Sequence, residues 1–198
     1  SSSTTIGGAI WDWVDQSIYE PREILDGSYQ GRLRTGYDFP GPHQGNFCCN
    51  GVVTALREVT PKLVEVKAAY QYLKFRLQGI APEGDKAFVE VKNTYDFITT
   101  EGMKLMWQAK ADGYVVAKGE LMLPAIKPDD KAVITIDLPQ KANAAQAKSQ
   151  GVELLLDVDV ADTNASRWAE ANHSLALAQF TLNERDKLAP IAVDSDAE

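Results

Sequence analysis

From Gln71 onward apolar residues recur at every second position, and this alternation constrains the fold more than any other feature of the chain. Leu73, Phe75 and Leu77 alternate with Tyr72, Lys74 and Arg76; Val89 and Val91 alternate with Glu90 and Lys92; Leu105, Trp107 and Ala109 alternate with Met106, Gln108 and Lys110. A strand sends successive side chains to opposite faces, so each run buries one face and leaves the other to water. Asp112-Gly113 is a two-residue hairpin signal leading into a strand over 114–121. Further strands are predicted over 132–138, over 152–160 with its stripe of Val152, Leu154, Leu156, Val158 and Val160, and over 174–182. Seven short strands separated by Gly, Pro and Asp turns predict an immunoglobulin-like antiparallel β-sandwich, making the chain mainly β. The Ala-rich stretch 141–150 has the composition for one or two helical turns; we assign it to a connecting loop.

Residues 1–70 have a different texture. Gly27, Gly31, Gly36, Pro40, Gly41, Pro42, Gly45 and Gly51 interrupt any regular period, and a structureless stretch of that length points to a shaped, functional loop. A strand is predicted over 8–14. A helix closes the segment, with Thr60 as N-cap, Pro61 at its first position, and Leu63, Val66, Lys67 and Tyr70 on one face. One strand, a crossover and one helix form a single strand–helix unit, which does not bury both faces of a parallel strand without neighbours. We therefore expect this part to pack on its own sandwich or on a second copy as a homo-oligomer. The expected organisation is 1–70, then a sandwich over 71–184, then a solvated, mobile acidic tail over 185–198 containing Asp194, Asp196 and Glu198.

At 198 residues and 44% hydrophobic, the chain has enough apolar material for a sizeable core. Its net charge of -8, from 28 acidic and 20 basic residues, would repel a phosphate backbone and excludes nucleic acid as a partner. No run approaches the roughly 18 apolar residues of a membrane span. Ser1-Ser2-Ser3-Thr4-Thr5 has neither the charge nor the apolar core of a signal peptide, so any export information is expected to lie outside this sequence. A soluble protein of the bacterial cytoplasm or periplasm is expected, with no membrane partner. The two cysteines, Cys48 and Cys49, are adjacent; neighbouring Cα atoms lie about 3.8 Å apart, shorter than the usual disulfide span. They read as thiols. A redox or zinc role lacks CxxC spacing, and His43 and His173 are distant in sequence.

The densest chemistry lies in Ile10-Trp11-Asp12-Trp13-Val14-Asp15-Gln16. Two tryptophans and two aspartates so close together fit a sugar site, and they also fit a strand edge with Trp11 and Trp13 on one face; residue types alone leave both readings open. Retaining glycosidases need two carboxylates about 5 to 5.5 Å apart. Asp12 and Asp15 are three apart, which on a strand means opposite faces, and Glu20 and Glu23 lie where nothing apolar would raise a pKa. No catalytic residue is assigned. Trp107 belongs to an apolar stripe and is expected in the core, Trp168 precedes a turn and is undecided, and His173 is expected to be structural.

Taken together, Gly7-Gly8-Ala9 with the Trp-Asp-Trp-Val-Asp-Gln block, Asp38-Phe39, Asn46-Phe47-Cys48-Cys49-Asn50-Gly51, Thr60-Pro61 and Glu65-Val66-Lys67 resemble the end of the catalytic barrel of β-galactosidases in glycoside hydrolase family 2. Trp168-Ala169-Glu170-Ala171-Asn172-His173 and Gln179 resemble the close of the domain that follows the barrel in five-domain members. The resemblance implies that residues 1–70 are the C-terminal remnant of a (β/α)8 barrel and that the sandwich is the fourth domain. It implies that Trp11 forms a wall against the galactose ring, and that Phe47, through its carbonyl, and Asn50, through its side-chain oxygen, help hold a sodium ion there. It implies catalytic glutamates and a magnesium site on parts of the barrel with no counterpart here, with neither ion held tightly by this chain, and partners that are the remaining domains and a galactoside. The parent would be a retaining β-galactosidase of carbohydrate metabolism, and this chain alone would be inactive. Thr35-Gly36-Tyr37-Asp38-Phe39-Pro40-Gly41 departs from the family's Tyr-Gly-Gly-Asp-Phe-Gly-Asp, and Asn172 stands where glycine is common. Two other readings remain: a non-catalytic carbohydrate- or protein-binding sandwich, and a thiol sensor using Cys48 and Cys49, which otherwise fill space behind the ion loop.

Overall fold

Where the glycines and prolines of the first seventy residues predicted an irregular loop, there is a hairpin. Strand β1 (Ile18–Glu23) pairs antiparallel with β2 (Tyr29–Arg34), with Ile18 opposite Arg34 and Glu23 opposite Tyr29. Pro21 is tolerated because both strands of a two-stranded ribbon are edges. Gly31 lets the Tyr19 ring lie over it: a Cβ there would lie 1.7 Å from that ring, which would have to swing aside. The coordinates are a computed structural model describing residues 7–23, 29–45 and 48–183. The tail residues Asp194, Asp196 and Glu198 lie outside these, as do Asn46 and Phe47.

The chain divides into two compact units, Ser1–Tyr70 and Gln71–Glu198. In the first, residues 8–14 are not the predicted strand; a single parallel bridge joins Val14 to Val53. A parallel strand needs partners along its length. Among the described residues of this unit the only partner segment is 51–53. Helix α1 (Pro61–Tyr70) begins where Pro61 predicted. Thr60, however, turns its hydroxyl to the Val52 carbonyl, tying the helix start to the bridge segment. Leu63, Val66 and Lys67 are half-buried, Tyr70 is exposed, and no residue of α1 is fully buried.

The second unit is the antiparallel sandwich. Its strands are β3 (Leu73–Ile80), β4 (Lys86–Asn93), β5 (Met103–Ala111), β6 (Tyr114–Met122), β7 (Lys131–Asp137), β8 (Leu154–Asp162) and β9 (His173–Asn183). One sheet has the order β3-β4-β7 and the other β6-β5-β8-β9. Taking the strands as A to G, this is ABE on one sheet and DCFG on the other, so the fourth strand joins the second sheet instead of the first as in immunoglobulin constant domains. The turn that sends it there is Asp112-Gly113, with φ of 47° and 87°, the pair of positive values that a two-residue hairpin of matching twist requires.

The alternation becomes the core. Ala87, Val89 and Val91 of β4 and Leu154, Leu156, Val158 and Val160 of β8 are buried, and Trp107 packs half-buried against them as predicted. The Ala-rich stretch forms helix α2 (Ala144–Ser149), correcting its assignment to a loop: Asn143 caps it by accepting the Gln146 N–H at 2.9 Å, and Ala144 and Ala147 are buried. Alanine's high helix propensity and small volume suit a short helix laid close against the core. The fully buried polar side chains Asn93, Thr100 and Asn183 are satisfied. Asn93 donates to the carbonyls of Ile98 and Ile126, both at 2.9 Å, and accepts the Tyr95 N–H at 2.9 Å, tying two loops beneath the sandwich. Among the described residues no helix is long and apolar enough to cross a membrane.

Candidate functional site

In the first unit, residues 12–17 and 49–53 are stapled together by backbone and side chain. The N–H groups of Val52 and Val53 donate to the carbonyls of Asp12 and Trp13 at 3.0 and 2.9 Å, and the Asp15 N–H returns to the Val53 carbonyl at 3.0 Å. Two side chains extend this ladder. The Asp15 carboxylate accepts the Gly51 N–H at 2.8 Å, and the Gln16 amide oxygen accepts the Asn50 N–H at 3.2 Å. Gly51 makes the approach possible: a Cβ would stand 2.1 Å from the Asp15 nitrogen and 2.5 Å from the Val14 carbonyl carbon, both backbone atoms that cannot give way. The loop enters this contact through Cys49 in the left-handed region, φ 59°, with its sulfur 3.7 Å from the Ser17 hydroxyl.

Trp11 and Asn50 both precede the parallel bridge, so they leave it on the same, N-terminal side. Trp11 is 82% exposed. The Asn50 side chain is exposed and makes no hydrogen bond among the described residues, leaving its amide oxygen available. Phe47 lies outside the described residues. Asp15 is committed to Gly51 and Glu20 is paired with Arg34 at 3.4 Å. Of Glu23 the backbone alone is described. Because 8–14 is not a strand, the argument that Asp12 and Asp15 face opposite sides does not hold. Asp15 engages one carboxylate oxygen with the Gly51 N–H.

The residues that organise the site, Asp15, Gln16 and Gly51, were not singled out for that role in the sequence. Their signal was there: an Asp-Gln pair supplying acceptors and, far along the chain, an Asn-Gly pair supplying donors. Cys48 and Cys49 are free thiols, and Cys49 is exposed, so it does not fill space behind the loop. His43 accepts the Gly45 N–H at 2.9 Å through Nδ1. His173 is exposed, with the Trp168 ring edge-on at 5.3 Å.

A charged knot orders the segment that departs from the family pattern. Asp38 accepts the Thr35 N–H at 3.0 Å and bonds the Arg32 guanidinium, while Arg34 reaches the Asp38 carbonyl and lies 4.9 Å over the Phe39 ring. The Thr35 N–H foremost holds the Asp38 carboxyl below the usual aspartate value near 3.8; desolvation opposes it, and the charges of Arg32 and Arg34, each the smaller effect, add to the lowering. No group of three or more His, Cys, Asp or Glu among the described residues could hold a metal ion. A sodium ion asks instead for neutral and carbonyl oxygens, and the Asn50 amide oxygen is of that kind.

Comparison with known proteins covers most of the chain. The family described as "Glycosyl hydrolases family 2, TIM barrel domain" matches residues 2–75, and that described as "Beta-galactosidase, domain 4" matches residues 89–183. Among solved structures, a selenomethionine-labelled β-glucosidase from Kluyveromyces marxianus is similar at 15% identity and a TM-score of 0.29, over 58% of this chain. The present chain spans 15% of that protein's length.

Proposed function

Since the chain belongs to glycoside hydrolase family 2, holding the end of the barrel and a β-galactosidase domain 4, we propose that it lends sugar-facing residues to a larger β-galactosidase whose catalytic carboxylates lie elsewhere. What supports this reading is the staple between residues 12–17 and 49–53. It fixes an exposed indole and an unengaged amide oxygen on the same side of one bridge. In this reading Trp11 stacks on the apolar face of the galactose ring, where C–H groups meet the indole. Asn50, with the carbonyl of Phe47, holds a sodium ion beside the sugar; the ion, when bound, supplies positive charge for the sugar's hydroxyl oxygens. Asp15 and Gln16 keep the loop in register. Magnesium belongs to the rest of the barrel.

The whole enzyme would work by double displacement. One glutamate attacks the anomeric carbon, a second protonates the leaving oxygen, and the second then activates the water that releases the sugar. Trp11 tests the proposal. In the whole enzyme, Trp11→Ala is expected to lower kcat/KM for a nitrophenyl β-galactoside about tenfold to a hundredfold, the worth of one buried aromatic contact, with Trp11→Phe between it and wild type. Unchanged kcat/KM in Trp11→Ala would contradict the role.

A further inference from the structure

The outer face of the four-stranded sheet carries a carboxylate that the rest of the face does not satisfy. β5, β8 and β9 set Met106, Asp159 and Leu177 in one cross-strand row and Gln108, Asp157 and Gln179 in the next. Together they line a cleft of about 410 Å³, within the size range of binding sites. In the second row the charge is answered: Asp157 accepts Gln179 at 2.7 Å and is paired with Lys110 at 2.5 Å. Lys104, beside the first row, is taken by Glu120 at 3.1 Å.

Asp159 is different. Both its cross-strand neighbours are apolar, and its Oδ1 is sealed from water with no hydrogen-bond partner. A sequestered carboxylate oxygen without a donor is costly and seldom left so. The outward face of an antiparallel sheet is ordinarily polar, yet Met106 and Leu177 stand here half-buried on either side of that oxygen. Lys104 and Lys110 of β5 are engaged elsewhere, and among the described residues no lysine or arginine pairs with Asp159, which leaves the position open to a cation from a partner.

We propose that this cleft is the seat for another domain of the same multidomain glycosidase, which inserts an arginine or lysine against Asp159 and lays the side chain's apolar stem across Met106 and Leu177. The identity of the partner rests on the family reading. The site itself does not depend on the roles of Trp11 or Asn50, and its test involves no turnover.

The 198-residue chain is titrated with acetyl-Leu-Arg-Leu-amide at low salt, with acetyl-Leu-Gln-Leu-amide as control, following the backbone amide resonances of Gln108, Asp159 and Leu177. The arginine peptide is expected to shift them saturably, and Asp159→Asn to weaken that binding about tenfold. Met106→Lys supplies the cation from the facing strand; it is expected to raise the thermal midpoint, to abolish peptide binding, and to lose its stabilising effect when combined with Asp159→Asn. Equal shifts with both peptides, no saturable shift at millimolar peptide, or stabilisation by Met106→Lys that survives Asp159→Asn would overturn the proposal. So would galactose moving the same resonances in place of the peptide, or self-association of the chain lost in Asp159→Asn.

Discussion

Gly51 and Asp15 show how much of the candidate site turns on single residues. The loop approaches residues 12–17 so closely that any Cβ at Gly51 would collide with backbone, and the Asp15 carboxylate accepts the Gly51 N–H there. Asp15→Ala removes that acceptor from a partner that is buried, at a cost of about 1 kcal/mol. Hydrogen exchange of the Gly51 amide is therefore expected to quicken about fivefold in Asp15→Ala and to stay near wild type in Asp15→Asn, which keeps an oxygen in place. Equal exchange in wild type and Asp15→Ala would show that the carboxylate does not hold the loop. The residue types were visible beforehand but their pairing was not, because the hydrogen bond spans residues far apart in sequence and Asp15 was weighed only as a catalytic acid.

The strands themselves were legible at the scale of elements: all seven form, and the stripes read in β3, β4, β5 and β8 are the faces those strands turn to the core, whereas the burial of β9 does not alternate strictly. Two elements were hidden. The β1–β2 hairpin contains Pro21 and Gly31, residues that ordinarily break strands; it forms because a two-stranded ribbon tolerates proline and because the Tyr19 ring covers the glycine. Helix α2 was hidden by its shortness, and the Asn143 cap sets its start. Buried polar staples were equally silent: Asn93 sits among strand residues with nothing in sequence to say that it serves three backbone partners. Asn93→Ala leaves the Ile98 carbonyl and the Tyr95 N–H unpaired beside the core and takes one of two donors from the Ile126 carbonyl, which keeps the Thr100 N–H at 3.2 Å. A loss of about 3 kcal/mol is expected in the denaturant-unfolding free energy, without change in the wild-type slope. A loss below about 0.5 kcal/mol would mean that water replaces the amide.

Across the whole molecule the two units differ in self-sufficiency. The sandwich closes a core drawn from both its sheets, whereas among the described residues of the first unit Val52 and Val53 are the only buried apolar side chains. In the proposed reading this chain presents a sugar to chemistry carried out elsewhere. The most direct test is hydrolysis of a nitrophenyl β-galactoside by the purified 198-residue chain, with sodium and magnesium present and the whole enzyme as positive control. The account predicts a rate indistinguishable from the protein-free blank; turnover above that blank, abolished by replacing a carboxylate within the chain, would contradict it.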